Sequence, residues 1–288
     1  MTSTTGQRNA VVRSDYERLL KGYWDTKTTD DINLLLGAED GLYHHHYGVG
    51  DYDPGVFTAA PEHRDSLALE ELHRMENAEA ELILDALGTV AADARGMDAG
   101  SGRGGTSFMI AQRFGCRMDG VTFCERHIEF AERVAKERGR DDRVRFHHAN
   151  MLEPPFEDET FDFIVSNETT MYADLHDLFR GFARLLRPGG RHVVVTWCRN
   201  DSVDARSSAS RRIDNHYVCG MHKRSTYFEA LAASGLAPYR VTRHTDEAIP
   251  YWELRNHSRL RTGIEAPFLA GYREKSLEYL VIACERVR

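Results

Sequence analysis

The sequence predicts an α/β fold: a parallel sheet wrapped by helices on both faces. Three observations predict it. Between Arg95 and Thr196, short β-prone apolar runs alternate with amphipathic stretches, the pattern of repeated strand–helix–strand units. In the first unit, Met97-Asp-Ala-Gly-Ser-Gly-Arg-Gly-Gly105 joins a strand-ending acid to a glycine turn that opens a helix. Further on, Leu186-Arg-Pro-Gly-Gly190 reads as a helix end and tight turn feeding another strand.

The elements follow in order. Residues 1–14 are polar and are expected to form a disordered tail. Tyr16, Leu19, Leu20, Tyr23 and Trp24 recur at helical spacing, as do Leu72, Met75, Ala78, Leu82 and Leu87 in a helix over 70–87. Between them, residues 41–50 are glycine-bracketed and polar, a loop of the kind that carries function. Strands are expected at 95–99, 117–122, 144–148, 161–167 and 191–196, and helices from the glycine turn to Phe114, at 125–138 and at 174–186. The polar run Arg199 to Arg212 is read as a mobile segment over the site. A helix at 225–234, a strand at 238–245, an irregular helical stretch at 250–275 and a closing strand at 279–285 complete the chain.

Composition excludes several classes of function. The chain has 288 residues, 41% of them hydrophobic, enough for one α/β domain with an appended cap. A net charge of -8 argues against a nucleic-acid partner, which requires a basic footprint. The five cysteines contain no Cys-x-x-Cys pair and suggest neither a disulfide framework nor zinc. No apolar run reaches membrane-spanning length and the polar start is no signal peptide, so a cytoplasmic location without membrane contact is expected. A homo-oligomer is compatible with this composition.

At the glycine turn, Gly100, Gly102 and Gly104 let the backbone take positive φ and approach a ligand closely. Gly100, Gly102 and Gly105 also satisfy the dinucleotide fingerprint, which keeps a pyridine-nucleotide oxidoreductase in view. Asp98 tilts the reading, because a carboxylate there accepts from amino and hydroxyl groups and repels a pyrophosphate. With Leu186 to Gly190, the turn resembles that of class I S-adenosylmethionine (SAM)-dependent methyltransferases. Their Rossmann-like sheet binds the nucleotide at the carboxyl ends of the strands. Thr122 ends the second strand in Gly120-Val-Thr-Phe-Cys124, similar to the subgroup containing cyclopropane-forming and tocopherol-type enzymes, with Cys124 and His127 replacing that subgroup's Ser and Gln. Asn150 and Met151, after the third strand, match the adenine-binding position, and Glu168, ending the fourth, faces the transferable methyl group. A desolvated carboxylate there can accept a proton.

Three longer segments narrow the resemblance. Tyr43-His-His-His-Tyr-Gly-Val-Gly50, Asn167-Glu-Thr-Thr-Met-Tyr-Ala-Asp-Leu-His-Asp-Leu-Phe179 and Pro250-Tyr-Trp-Glu-Leu-Arg255 closely resemble the geranyl diphosphate 2-C-methyltransferase family. The resemblance runs from about Tyr16 to the end. It implies methylation of an alkene carbon of a prenyl diphosphate, with SAM as methyl donor and Mg2+ assisting the diphosphate. It makes Glu168 the general base and turns Tyr47, helped by Tyr217, toward the cation formed by methyl attack. Asn33, Tyr43, His45, Tyr172, Tyr217, Trp252 and Arg255 are expected to meet substrate. It also implies a helical cap over 15–90 and a SAM-binding core over 91–288 with a lid insertion near 199–224.

Geranyl diphosphate methylated at C2 or C6, isopentenyl diphosphate, and a small molecule methylated at N or O all fit within this class. A SAM-binding sensor without chemistry is disfavoured by Glu168, which binding alone does not require. His44, His45 and His46 are expected to hydrogen-bond substrate or fold rather than hold a metal, since consecutive loop side chains rarely converge. Glu76 and Glu79 are read as solvated, with Glu76 available to Mg2+ through water, and Arg255 and Arg259 as diphosphate partners. Trp197 and Trp252 suit core and pocket equally.

Overall fold

The computed structural model describes residues 11–27, 31–203, 206–259 and 261–287. Seven strands among these residues form one sheet: β1 (Arg95–Ala99), β2 (Arg117–Thr122), β3 (Val144–His148), β4 (Phe161–Asn167), β5 (Leu186–Arg199), β6 (Leu236–Arg243) and β7 (Leu277–Arg286). Their order is β3-β2-β1-β4-β5-β7-β6. The first five pair in parallel, whereas β7 runs antiparallel between β5 and β6, so the sheet is mixed rather than parallel throughout. Strand order reverses between β1 and β4, which opens a crevice at their carboxyl ends.

The two faces of the sheet feed separate cores. Phe163, Val165, Val193, Val195, Val281 and Ala283 enter one, while Ile164, Val194 and Ile282 enter the other. This is the period-two alternation of a strand buried on both sides, and it explains why these strands read as continuous apolar runs. The second core is closed by α7 (Leu175–Leu185) and α9 (Arg224–Ala233), through Leu178, Phe182, Tyr227 and Leu231. The first is closed by α5 (Gly105–Phe114), α6 (Glu125–Glu137) and a helical layer.

That layer comprises α1 (Asp15–Thr26), α2 (Asp31–Leu36), α3 (Gly55–Thr58) and α4 (Pro61–Leu87), joined by α8 (Ser208–Tyr217), α10 (Thr245–His257) and α11 (Glu265–Arg273). A cap read from residues 15–90 alone therefore omits three helices; α10 packs directly on α4. Of the expected tail, residues 1–10 lie outside the described residues, while Ser14 caps α1 by accepting from Glu17 N at 3.1 Å.

Other expectations need correction. α4 starts at Pro61, not Glu70, with proline at its first turn, where no N–H is missed. The run Arg199 to Arg212 is not wholly irregular: apart from residues 204 and 205, which are not described, its second half enters α8. Ala209, Ile213 and Tyr217 fall four residues apart and are all buried, a helical signal masked by the arginines between them. The stretch 250–275 resolves into α10, which contains Pro250, and α11. The turn Leu186 to Gly190 is an irregular start of β5, where pairing jumps from Phe161–Leu186 to Phe163–Arg191 and Gly189 takes φ 76°.

Candidate active site

At the end of β1, Gly100 and Gly102 take φ 86° and 52°. A Cβ on Gly100 would stand 2.4 Å from a carbon of Thr169, and one on Gly102 would stand 3.0 Å from His45 Nδ1, so both positions need the missing side chain. Asp98, 2% exposed, accepts from Ser107 Oγ at 2.7 Å. Burial pushes its carboxyl up to about 6.

Above this turn lies a cavity of about 970 Å³, its mouth included. Asp98, Gly100, Gly102, Thr122, His127 and Met151 line it, together with Tyr43, His45, Tyr47, Glu168, Tyr172 and Tyr217. These twelve expected site residues come from three parts of the chain far apart in sequence, and the crevice between β1 and β4 gathers them. The donor set fits SAM: a buried carboxylate faces the glycine turn, and Ser101 Oγ is buried with no hydrogen-bond partner. When bound, SAM supplies an electrophilic methyl group.

Glu168 directly follows β4 and lines the cavity. It takes φ 51°, a left-handed conformation costing about 1 kcal/mol in a residue with Cβ, and its N–H donates to Val195 O at 2.9 Å. The Tyr279 hydroxyl lies 2.6 Å from Glu168 Oε1, while Oε2 is buried without a partner. Burial, followed by repulsion from Glu79, pushes the Glu168 carboxyl up to about 8. The walls beside it are aromatic. Tyr47 hydrogen-bonds Tyr217 hydroxyl to hydroxyl, and its ring centroid lies 5.7 Å from Trp197 and 4.3 Å from Trp252. Electron-rich ring faces of this kind attract a cation.

The histidine triplet divides. His46 Nδ1 meets Glu79 Oε2 at 2.9 Å, and its Nε2 meets His44 Nδ1 at 2.8 Å. Burial alone would lower the His46 imidazole, but the Glu79 carboxylate overrides it and raises it to about 9. His44, held by Asn77, is pushed well below the usual histidine range by burial. His45 instead stacks near His127, with centroids 4.6 Å apart.

Seven expected residues fall outside the main cavity, Glu76 among them. Gly104 faces the Phe146 ring. The Asn150 side chain serves its own turn, accepting from Leu152 N at 3.0 Å and donating to Val11 O at 3.3 Å. Trp252 stacks on Phe268 behind Tyr47, whereas Trp197 does line the cavity, so the two tryptophans part company. Asn33 and Arg255 line a smaller adjoining cavity of about 290 Å³, which shares Lys27, His45, Tyr47 and Tyr217 with the larger one. There Asn33 Nδ2 donates to His44 O at 2.7 Å, and Arg255 donates to Glu265 Oε1 and to the Tyr251 hydroxyl, each at 3.1 Å. Arg259 pairs instead with Asp65 at the surface.

Glu76 and Glu79 are not solvated: they are 1% and 0% exposed, because α4 is covered on this side by α10 and the sheet. Glu76 accepts from the Tyr251 hydroxyl at 2.7 Å and lines neither cavity, so it is not placed to meet Mg2+. Among the described residues, no group of three or more His, Cys, Asp or Glu could hold a metal ion. A protein cage of three or more such ligands for Mg2+ is thus lacking in that set, which suits an ion held largely by diphosphate oxygens and water. Glu79 and Tyr279 were missed. The available signal was an acid on the apolar stripe Met75, Glu79 and Ile83, four residues apart.

Comparisons with known proteins agree with this geometry. A family model described as a methyltransferase domain matches residues 97–190. The chain is 44% identical over 279 residues to geranyl diphosphate 2-C-methyltransferase of Saccharopolyspora erythraea, covering 97% of this chain and 98% of that one. It is 42% identical to the enzyme of the same name from Streptomyces lasalocidi, covering 99% and 95%. Among solved structures it is similar to geranyl diphosphate C-methyltransferase from Streptomyces coelicolor in complex with Mg2+, geranyl-S-thiolodiphosphate and S-adenosyl-L-homocysteine. That match has a TM-score of 0.93 at 40% identity and covers 96% of this chain and 100% of the other. The sheet is that of a class I SAM-dependent methyltransferase, and the chain belongs to the geranyl diphosphate 2-C-methyltransferase family.

Proposed function

We propose that this chain methylates C2 of geranyl diphosphate, with Glu168 removing the proton that restores the double bond. The observation that carries the reading is the buried, unpartnered Oε2 of Glu168 in an aromatic-walled cavity shared with the glycine turn. An alkene is a weak nucleophile, and its attack on a methyl group leaves a carbocation. Tyr47, Tyr217 and Trp197 offer that cation ring faces, and the Glu168 carboxylate offers it both charge and a proton acceptor. The smaller cavity suits the diphosphate, since Lys27, His216 and Arg255 line it. Asp98 and Ser101 are assigned to the polar groups of SAM, and Thr122, His127 and Met151 to its nucleoside.

Homologues that share this substrate are the reason to prefer C2 over C6 and ten carbons over five. The test incubates the protein with SAM, Mg2+ and a panel of C5, C10 and C15 prenyl diphosphates, followed by mass spectrometry and NMR of the dephosphorylated products. A C10 product bearing a new methyl branch at C2 is expected. Preferential methylation of the C5 diphosphate, or of an added amine or phenol, contradicts the reading.

A further inference from the structure

Tyr279 has one hydroxyl proton and two carboxyl oxygens in reach: Glu168 Oε1 at 2.6 Å and Glu79 Oε1 at 3.0 Å. A single O–H cannot donate fully to both. The contacts are satisfied when one carboxyl group is itself protonated and donates to the phenol oxygen, while the phenol donates to the other. The surroundings say which is which. Glu79 Oε2 accepts from Asn167 Nδ2 at 2.9 Å and pairs with the His46 imidazole at 2.9 Å, both of which favour the anion. Glu168 has Tyr279 on Oε1 and the backbone N–H of Tyr47 nearby, while its Oε2 is buried without a close partner. Both side chains are buried, at 6% and 0% exposure, so two adjacent anions would repel strongly.

We infer that Glu168 holds a proton in the ligand-free protein, kept there by burial and by Glu79 across Tyr279, and that the sulfonium charge of SAM expels it on binding. The groups facing Glu168 are Tyr279 from β7, Glu79 from α4, His46 and Tyr47 from the loop before α3, and more distantly Tyr217 of α8 and Tyr272 of α11. His46 is the one of these that is a cation at neutral pH, and it is matched by Glu79. The raised proton affinity of Glu168 has the same direction as the geometry requires. On SAM binding the Glu168 O–H bond breaks, its electron pair stays on the carboxylate, and the proton goes to solvent. A neutral acid is thereby replaced by an anion facing a cation.

Resting on the role proposed for Glu168, the cycle closes without further groups. The carboxylate takes the substrate proton as the sulfonium charge is lost, and it is again a neutral acid when S-adenosylhomocysteine leaves. Glu79 and Tyr279 are positioning residues in this scheme, setting when the base is ionised rather than touching the reacting carbon.

The test is calorimetric titration of SAM and, separately, of S-adenosylhomocysteine into the whole protein near neutral pH, in phosphate, HEPES and Tris, whose protonation enthalpies differ. Amino and carboxyl groups are common to both ligands, so the difference between them isolates the sulfonium. SAM is expected to release about one proton more than S-adenosylhomocysteine. The difference should vanish in Glu168→Gln and shrink in Glu79→Gln, where the neighbouring anion is gone but the burial remains. Equal release in the wild-type protein overturns the inference, as does a difference that survives in Glu168→Gln or is unchanged in Glu79→Gln. The wild-type comparison needs no variant, so a poorly folding substitution leaves it decisive. Proton release without methylation of geranyl diphosphate would count against the proposed function alone.

Discussion

Trp252 lies face to face on Phe268, with ring centroids 4.1 Å and planes 8° apart, and the pair backs Tyr47 rather than the cavity. Trp252 is 1% exposed and Phe268 0%, so the stack joins α10 to α11 as packing. Trp252→Ala is therefore expected to cost about 3–5 kcal/mol of folding stability, the range for deleting a buried large aromatic. Urea unfolding measures it. A substitution that left stability intact but weakened substrate binding would return Trp252 to the pocket.

Asp98 is the polar anchor at the cofactor end. Asp98→Ala should weaken SAM binding by about 1.5–3 kcal/mol through lost charge-assisted hydrogen bonds, measurable by calorimetry, while the fold survives. Its folded-state value near 6 lies above the ordinary 3.8, so keeping it ionised costs stability above about 6, and that cost disappears once pH falls below the ordinary value. SAM affinity has the opposite trend, because the ligand needs the carboxylate. It should decline as pH drops through about 6, and Asp98→Asn should remove Asp98's part of that decline. Pronounced acid weakening of equal size in both proteins would assign the titration elsewhere.

Chelation separates metal from cofactor. With no metal-holding group of three or more His, Cys, Asp or Glu among the described residues, Mg2+ is expected to act together with the diphosphate. Excess chelator should abolish turnover of geranyl diphosphate yet leave SAM affinity nearly unchanged. Full turnover in chelator would contradict a metal-assisted diphosphate.

Much of this was legible in the sequence because burial on both sheet faces writes strands as apolar runs, and because a glycine turn beside an acid is a local motif. Glu168 and Tyr47, each inside a long distinctive segment, were legible as residues of the cavity wall. Asn150 was misplaced because the sequence position was right but the side chain is consumed by the turn that follows it. Helix α8 was missed where arginines hid an apolar stripe of only three residues. The group formed by His46, Glu79 and Tyr279 has no shared local signature: its members lie on a loop, a helix and a strand, and only tertiary packing brings His46 and Tyr279 to the Glu79 carboxyl.

Glu168→Gln tests the central claim most directly. The amide keeps the size of the side chain and a hydrogen bond to Tyr279, but it cannot accept the substrate proton. Loss of a general base typically slows turnover by about 100- to 10,000-fold. With SAM and geranyl diphosphate both still bound, single-turnover methylation should fall by at least about 100-fold. An alcohol or isomeric alkene is expected among the products as water or another group quenches the cation. Near wild-type turnover to an unchanged C2-methylated product would contradict the account.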